Sequence, residues 1–176
     1  EGLRRVEDIA VGDEIWTSKD SASVVRWVGR RTAPCEGALA PIRFETGAIG
    51  NARPLLVSPE HRMVIRGPEP ELLFGEGAVL TAAKHLLDLP GVTRVTGGVV
   101  TYHHFMFDDH AIVEAEGALS ESFYAGPAAI DALEDGPRAE LLSLFPELEA
   151  GQTAPLAMRS LTAVEAKALT GRLHAA

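Results

Sequence analysis

Large apolar side chains recur through the first two thirds of the chain in short runs, each bounded by Gly, Pro or Asp. The runs are Ser23–Val28, Pro41–Glu45, Arg53–Ser58, His61–Arg66, Val79–Ala82, Val99–Phe107 and Ala111–Glu116. They are rich in Val, Ile, Leu, Phe, Tyr and Trp, and turn pairs such as Gly67-Pro68, Pro90-Gly91 and Gly97-Gly98 separate them. Several alternate with period two. In Val24-Val25-Arg26-Trp27-Val28 the polar Arg26 points away from Val25 and Trp27, as a half-buried strand requires. Short strands at this even spacing predict a mainly β domain over residues 1–126.

The period changes after Gly126. Pro127–Leu133 is Ala-rich, and Pro137–Phe145 sets Leu141, Leu142, Leu144 and Phe145 as one helical stripe. Pro137 suits a first turn and Pro146 stops the run. A loop through Gly151 and Pro155 leads to a third helix over Leu161–Leu173. There Thr162 and Glu165 have capping-box spacing, with Val164, Ala168 and Leu169 expected on one face. Helices this short and apolar do not stand alone in water. Residues 127–176 therefore read as a helical C-terminal extension packed on the β domain or on a partner.

Composition narrows the function. The 176 residues are 46% hydrophobic and 23% charged, enough apolar material for a core, which excludes general disorder. Sixteen Lys and Arg against 25 Asp and Glu leave a formal charge of −9, so a nucleic-acid backbone is not an expected partner. The single cysteine, Cys35, excludes a disulfide framework and a Cys-rich zinc site; beside Glu36 it reads as a loop thiol and a poor nucleophile. No apolar run approaches the roughly 20 residues that span a bilayer. The first residue is Glu1 rather than Met, so the chain is read as a piece of a longer protein.

Six histidines are the main candidates for proton transfer near neutral pH. His61 follows Ser58-Pro59-Glu60 at the start of an apolar run. A hydroxyl three residues ahead of an imidazole, across a tight corner, can orient a peptide group while the ring protonates its nitrogen. By spacing alone a structural or surface role for His61 stays open. His103 and His104 are consecutive in a strand and face opposite sides of the sheet, so one of them shares a face with residues 101 and 105. His110 follows Asp108-Asp109, where a neighbouring carboxylate would favour the charged ring; a solvated turn is the plainer reading. His85 reads as a surface residue and His174 as part of a frayed end. His103, His104, His110, Asp108 and Asp109 carry metal-ligating atoms, but no His-Glu-x-x-His helix or Cys pair gives them metal spacing. Gly-x-Ser-x-Gly and Gly-x-x-x-x-Gly-Lys are both absent.

Three segments together carry a resemblance. Val6-Glu7-Asp8-Ile9-Ala10-Val11-Gly12-Asp13-Glu14-Ile15 is similar to the stretch that follows the nucleophile in the Hedgehog/intein (Hint) superfamily, where a Val-Gly-Asp turn leads into the next strand. Leu55 to Ile65, with Ser58-Pro59-Glu60-His61, resembles that family's Thr-x-x-His motif with Ser in place of Thr. Tyr102 to Val113 resembles its later block. The likeness covers roughly residues 1–123, and the subfamily it most resembles is the bacterial one ending in Glu-Ser-Phe, here Glu121-Ser122-Phe123, followed by Leu-rich helices.

That resemblance implies a horseshoe-shaped all-β Hint fold with a short helical extension, and a peptide-bond rearrangement in cis. An N-terminal Cys or Ser attacks the carbonyl before it and turns the amide into a (thio)ester. By position, His61 protonates the scissile nitrogen, Ser58 helps hold the strained peptide, His103 accepts or donates a proton, and His110 supports the corner. No cofactor is implied; the substrate is the domain's own N-terminal flanking polypeptide, and the acyl acceptor is unspecified. The nucleophile strand belongs ahead of Glu1, so the chain by itself is expected to be inert. The His-Asn ending of inteins is absent, Leu119-Ser120-Glu121-Ser122-Phe123 standing in its place, which implies N-terminal cleavage without full splicing. Two other readings compete: a catalytically inactive Hint-fold docking or structural module of a larger bacterial surface or secreted protein, and a metal-dependent hydrolase built on His103–His110. Loss of the first strand would leave a sheet edge open to homodimerisation.

Overall fold

In the computed structural model, which describes residues 2–175, the strands are β1 (Glu14–Thr17), β2 (Ser21–Val24), β3 (Trp27–Pro34), β4 (Ile42–Phe44), β5 (Leu55–Val57) and β6 (Arg62–Arg66). They continue as β7 (Ala78–Ala82), β8 (Val92–Arg94), β9 (Val99–Met106), β10 (Ile112–Ala115) and β11 (Ala118–Glu121). Among the described residues four α-helices accompany them: α1 (Pro68–Phe74), α2 (Pro127–Asp131), α3 (Asp135–Leu144) and α4 (Ala163–Ala175). The chain is thus mainly β with a helical C-terminal region.

Two compact units share it. The first runs to Thr32 and takes in Thr101–Ile112 and Ser122–Ala157; the second comprises Ala33–Val100, Val113–Glu121 and the chain from Met158.

In the first unit, β1 and β2 form an antiparallel hairpin with Glu14 opposite Val24 and Trp16 opposite Ala22. The Val-Gly-Asp turn that opens it depends on Gly12, at φ 91°, a conformation glycine adopts without Cβ strain. Asp13 closes the turn by accepting the Ala10 N–H. Its ion pair with Arg4, and then that N–H, hold the Asp13 carboxyl below its usual range. The alternation at Val24–Val28 survives, with Val25 and Trp27 fully buried, but Ser23–Val28 is not one strand. The ladder breaks at Val25-Arg26, where Val25 donates to Asp13 O and Arg26 to Met106 O. Trp27, Met106, Ala125, Ile130 and Leu141 form the unit's apolar core. Leu144 departs from the expected stripe and is exposed, because the buried line of α3 is centred on Leu141. Phe145 leaves helical geometry at φ −131°, ψ 71°, as the residue before Pro146 is disfavoured in the helical region.

In the second unit, β4 lies between β5 and β8, both antiparallel to it, with Ile42 opposite Val57 and Arg94. β6 pairs antiparallel with β7 along its whole length and with β11 through Met63 and Ser120. β10 and β11 are neighbours joined at Glu116-Gly117. The core gathers Ile42, Phe44, Met63, Val79, Leu86, Ala166 and Leu169 around these strands. Gly67-Pro68 opens helix α1 rather than only a turn: Pro68 and Pro70 occupy first-turn positions whose N–H groups have no intrahelical partner. In α4 the expected face is corrected. Ala166, Leu169 and Thr170 are buried at helical spacing, while Val164 is 80% exposed and Ala168 also faces out. The capping box itself forms: Thr162 N–H and hydroxyl both donate to Glu165, and Glu165 N–H donates back to Thr162 Oγ1. Cys35 is buried rather than a loop thiol, its N–H donating to Gly98 O and its carbonyl accepting Gly97 N–H.

Candidate functional site

Ser58 and His61 lie in the second unit, at the corner between β5 and β6. Pro59 fixes its own φ near the value a β-turn needs at the second position, and His61 N–H closes the turn on Ser58 O at 3.1 Å. Both residues are half-buried. The corner is held from outside by backbone alone at two points: Ala83 N–H donates to His61 O at 2.9 Å and Lys84 N–H to Pro59 O at 3.0 Å. Lys84 also pairs with Glu60 at 2.6 Å.

A third restraint comes from a side chain. Glu121 ends β11 with its carboxylate only 7% exposed. One oxygen accepts the backbone N–H of Arg62 and the other accepts from the Arg62 guanidinium, each at 2.9 Å. The peptide between His61 and Arg62 is therefore bonded at both its polar atoms, the carbonyl to Ala83 and the N–H to Glu121. Glu121 is a residue the histidine pattern alone did not select; its place at the head of Glu-Ser-Phe was the signal.

His103 and His110 lie in the first unit. His103 is half-buried in β9, on the opposite side of the strand from His104. The His104 ring lies 5.2 Å from that of Phe123, which also meets Trp27 at 5.3 Å. His110 is not in a solvated turn: it is 5% exposed, with its ring edge-on to Tyr124. Its Nδ1 accepts the backbone N–H of Ala157 at 2.9 Å, which assigns the ring proton to Nε2. Asp108 and Asp109 are the solvated members of the corner, and Asp108 pairs with Arg26 at 3.1 Å. Ser122 grips the residue after His110 twice, its N–H donating to Ala111 O and its Oγ accepting Ala111 N–H. His110 also lines a cleft with Phe123, Tyr124, Phe145, Leu148 and Thr153; the Tyr124 and Thr153 hydroxyls are 3.1 Å apart.

His85 sits in a short 3-10 turn at Ala83–Leu86 and is half-buried. Burial first, and the Lys84 charge second, push its pKa down and favour the neutral ring. Among the described residues no three His, Cys, Asp or Glu side chains gather into a group that could hold a metal ion. Nor does any described helix have the length and apolarity to cross a membrane.

A family model described as a Hint domain matches residues 1–127 of the chain. Neither a curated protein nor a solved structure gives a significant match.

Proposed function

The chain belongs to the Hint-domain family, and from that membership we propose that it is an autoprocessing domain acting on the polypeptide joined to its N-terminus. In a polypeptide carrying Cys or Ser ahead of Glu1, the nucleophile's thiol or hydroxyl attacks the preceding carbonyl. The C–N bond breaks, the leaving nitrogen gains a proton to become an amine, and the acyl group rests as a thioester or ester. Water or another nucleophile then takes the acyl group, so the reaction ends in cleavage rather than splicing.

His61 supplies the proton to the leaving nitrogen and Ser58 holds the strained peptide. His103 exchanges a proton as the nucleophile is activated, and His110 supports its corner. The observation that most supports this reading is the Ser58-Pro59-Glu60-His61 turn, closed by a hydrogen bond and tied down by Ala83, Lys84 and Glu121. A general acid works only when its ring is held in reach of one atom. A surface histidine needs no such restraint.

The test is intact mass of the longer polypeptide, purified with and without added thiol, beside its His61→Ala variant. Cleavage just upstream of Glu1, accelerated by thiol and slowed roughly 100-fold or more in His61→Ala, is the expected result. A polypeptide that stays whole under every condition overturns it and leaves the docking-module reading in its place.

A further inference from the structure

We propose that Glu121 is the positioning residue for His61. The inference rests on the reading of His61 as the proton donor, and its observation is independent of the family match. Three bonds determine where the His61 side chain leaves the backbone. Its own N–H goes to Ser58 O, its carbonyl receives Ala83 N–H, and the following N–H goes to Glu121. The first bond fixes the rotation before its Cα, and the other two fix the peptide plane after it. Only the third involves a side chain, so only that one is set by a residue's identity.

The choice of a carboxylate there is informative. β6 pairs with β11 through Met63 and Ser120, and at Arg62 a side-chain oxygen does what a strand carbonyl could do. Burying a carboxylate costs several kcal/mol before its partners are counted, and the Arg62 guanidinium at 2.9 Å offsets that cost. Buried ion pairs of this kind are a poor source of stability, and their better attested use is to specify one arrangement among several. Here the arrangement is the exit of β6 from the turn, one residue beyond His61. Glu121 acts through Arg62.

The experiment compares Glu121→Gln with Glu121→Met. Glutamine keeps an oxygen for Arg62 N–H; methionine keeps the length and removes the acceptor. On the 176-residue chain, the His61 ring resonances and the NOEs that place the ring should match the parent chain in Glu121→Gln and move in Glu121→Met, while a cooperative melt certifies that both are folded. In the longer, nucleophile-bearing polypeptide, Glu121→Met should slow cleavage roughly 10- to 100-fold and displace its pH–rate profile, with Glu121→Gln restoring most of the rate. A folded Glu121→Met whose His61 ring keeps the NOE contacts of the parent chain overturns the proposal. If Glu121→Met does not fold, Glu121→Asp, one methylene short of Arg62 N–H, is read by the same ring signals with the same criterion. Failure of the parent polypeptide to cleave would overturn the proton-donor reading alone, because the NMR comparison still decides whether Glu121 orients the ring.

Discussion

Ala157 donates its backbone N–H to Nδ1 of His110 across 47 residues of chain, at 2.9 Å. The bond ties the corner after β9 to a loop beyond α3, within one unit. His110→Ala leaves that N–H without its acceptor and removes a ring packed on Tyr124. His110 is buried but Ala157 is exposed, so water can take over the freed N–H and the lost hydrogen bond costs about 0.5–1.5 kcal/mol beside the lost ring packing. Urea unfolding should show a lower midpoint at unchanged slope, and the Ala157 amide should lose its protection from hydrogen exchange.

Leu141 and Leu144 share helix α3 and should respond oppositely to truncation. Leu141 is fully buried beside Trp27, Met106 and Ile130, whereas Leu144 is exposed. Leu141→Ala should cost about 2–5 kcal/mol, and Leu144→Ala should stay within about 0.5 kcal/mol of the parent chain. Denaturant midpoints of the two variants check this directly.

Gly29 is needed for a close approach. A Cβ there would lie 2.3 and 2.6 Å from carbons of the Trp27 indole, which is fully buried and rigid. Gly29→Ala should destabilise by about 1–3 kcal/mol through overpacking. A shifted tryptophan emission spectrum in the folded variant would report displacement of the ring.

Glu165 carries a pH dependence. The Thr162 backbone N–H, then the Thr162 hydroxyl, then Arg159 hold its carboxyl below the usual glutamate range. A group whose folded pKa is depressed stabilises the fold fully above its unfolded value, and that contribution is lost as pH falls through the unfolded and then the folded value. Acidifying through the ordinary glutamate range should therefore lower the melting temperature less in Glu165→Gln than in the parent chain. Thr162→Ala, which removes the cap itself, should cost about 1 kcal/mol at neutral pH.

Much of this architecture was legible in local chemistry. Ser58-Pro59-Glu60-His61 announces a turn because proline presets one dihedral, and Thr162/Glu165 announces a cap because both partners lie within one helical turn. What failed was whatever depended on distant chain. His110 looked solvated because Asp108 and Asp109 dominate its neighbourhood, and nothing nearby signals Ala157. The Arg62 clamp joins residues 59 apart. Val164 and Leu144 are exposed although their apolarity and helical spacing point inward, because apolarity alone does not say which side of a short helix meets the core. Strand β11, Ala118-Leu119-Ser120-Glu121, lacks the β-branched and aromatic residues that mark strands, and is held instead by its pairing with β6.

Each unit is assembled from separated stretches of one chain, and this governs when it can form during synthesis. Trp27 leaves the ribosome well before its core partners Met106, Ile130 and Leu141. At about 5–20 residues per second the wait is on the order of ten seconds. The second unit is likewise incomplete until Leu169 has emerged. Contacts this distant in sequence form slowly and only after loop closure. A nascent chain therefore holds the His61 turn before it holds the framework around it, so any chemistry at that turn waits until the stretch through Leu169 has emerged.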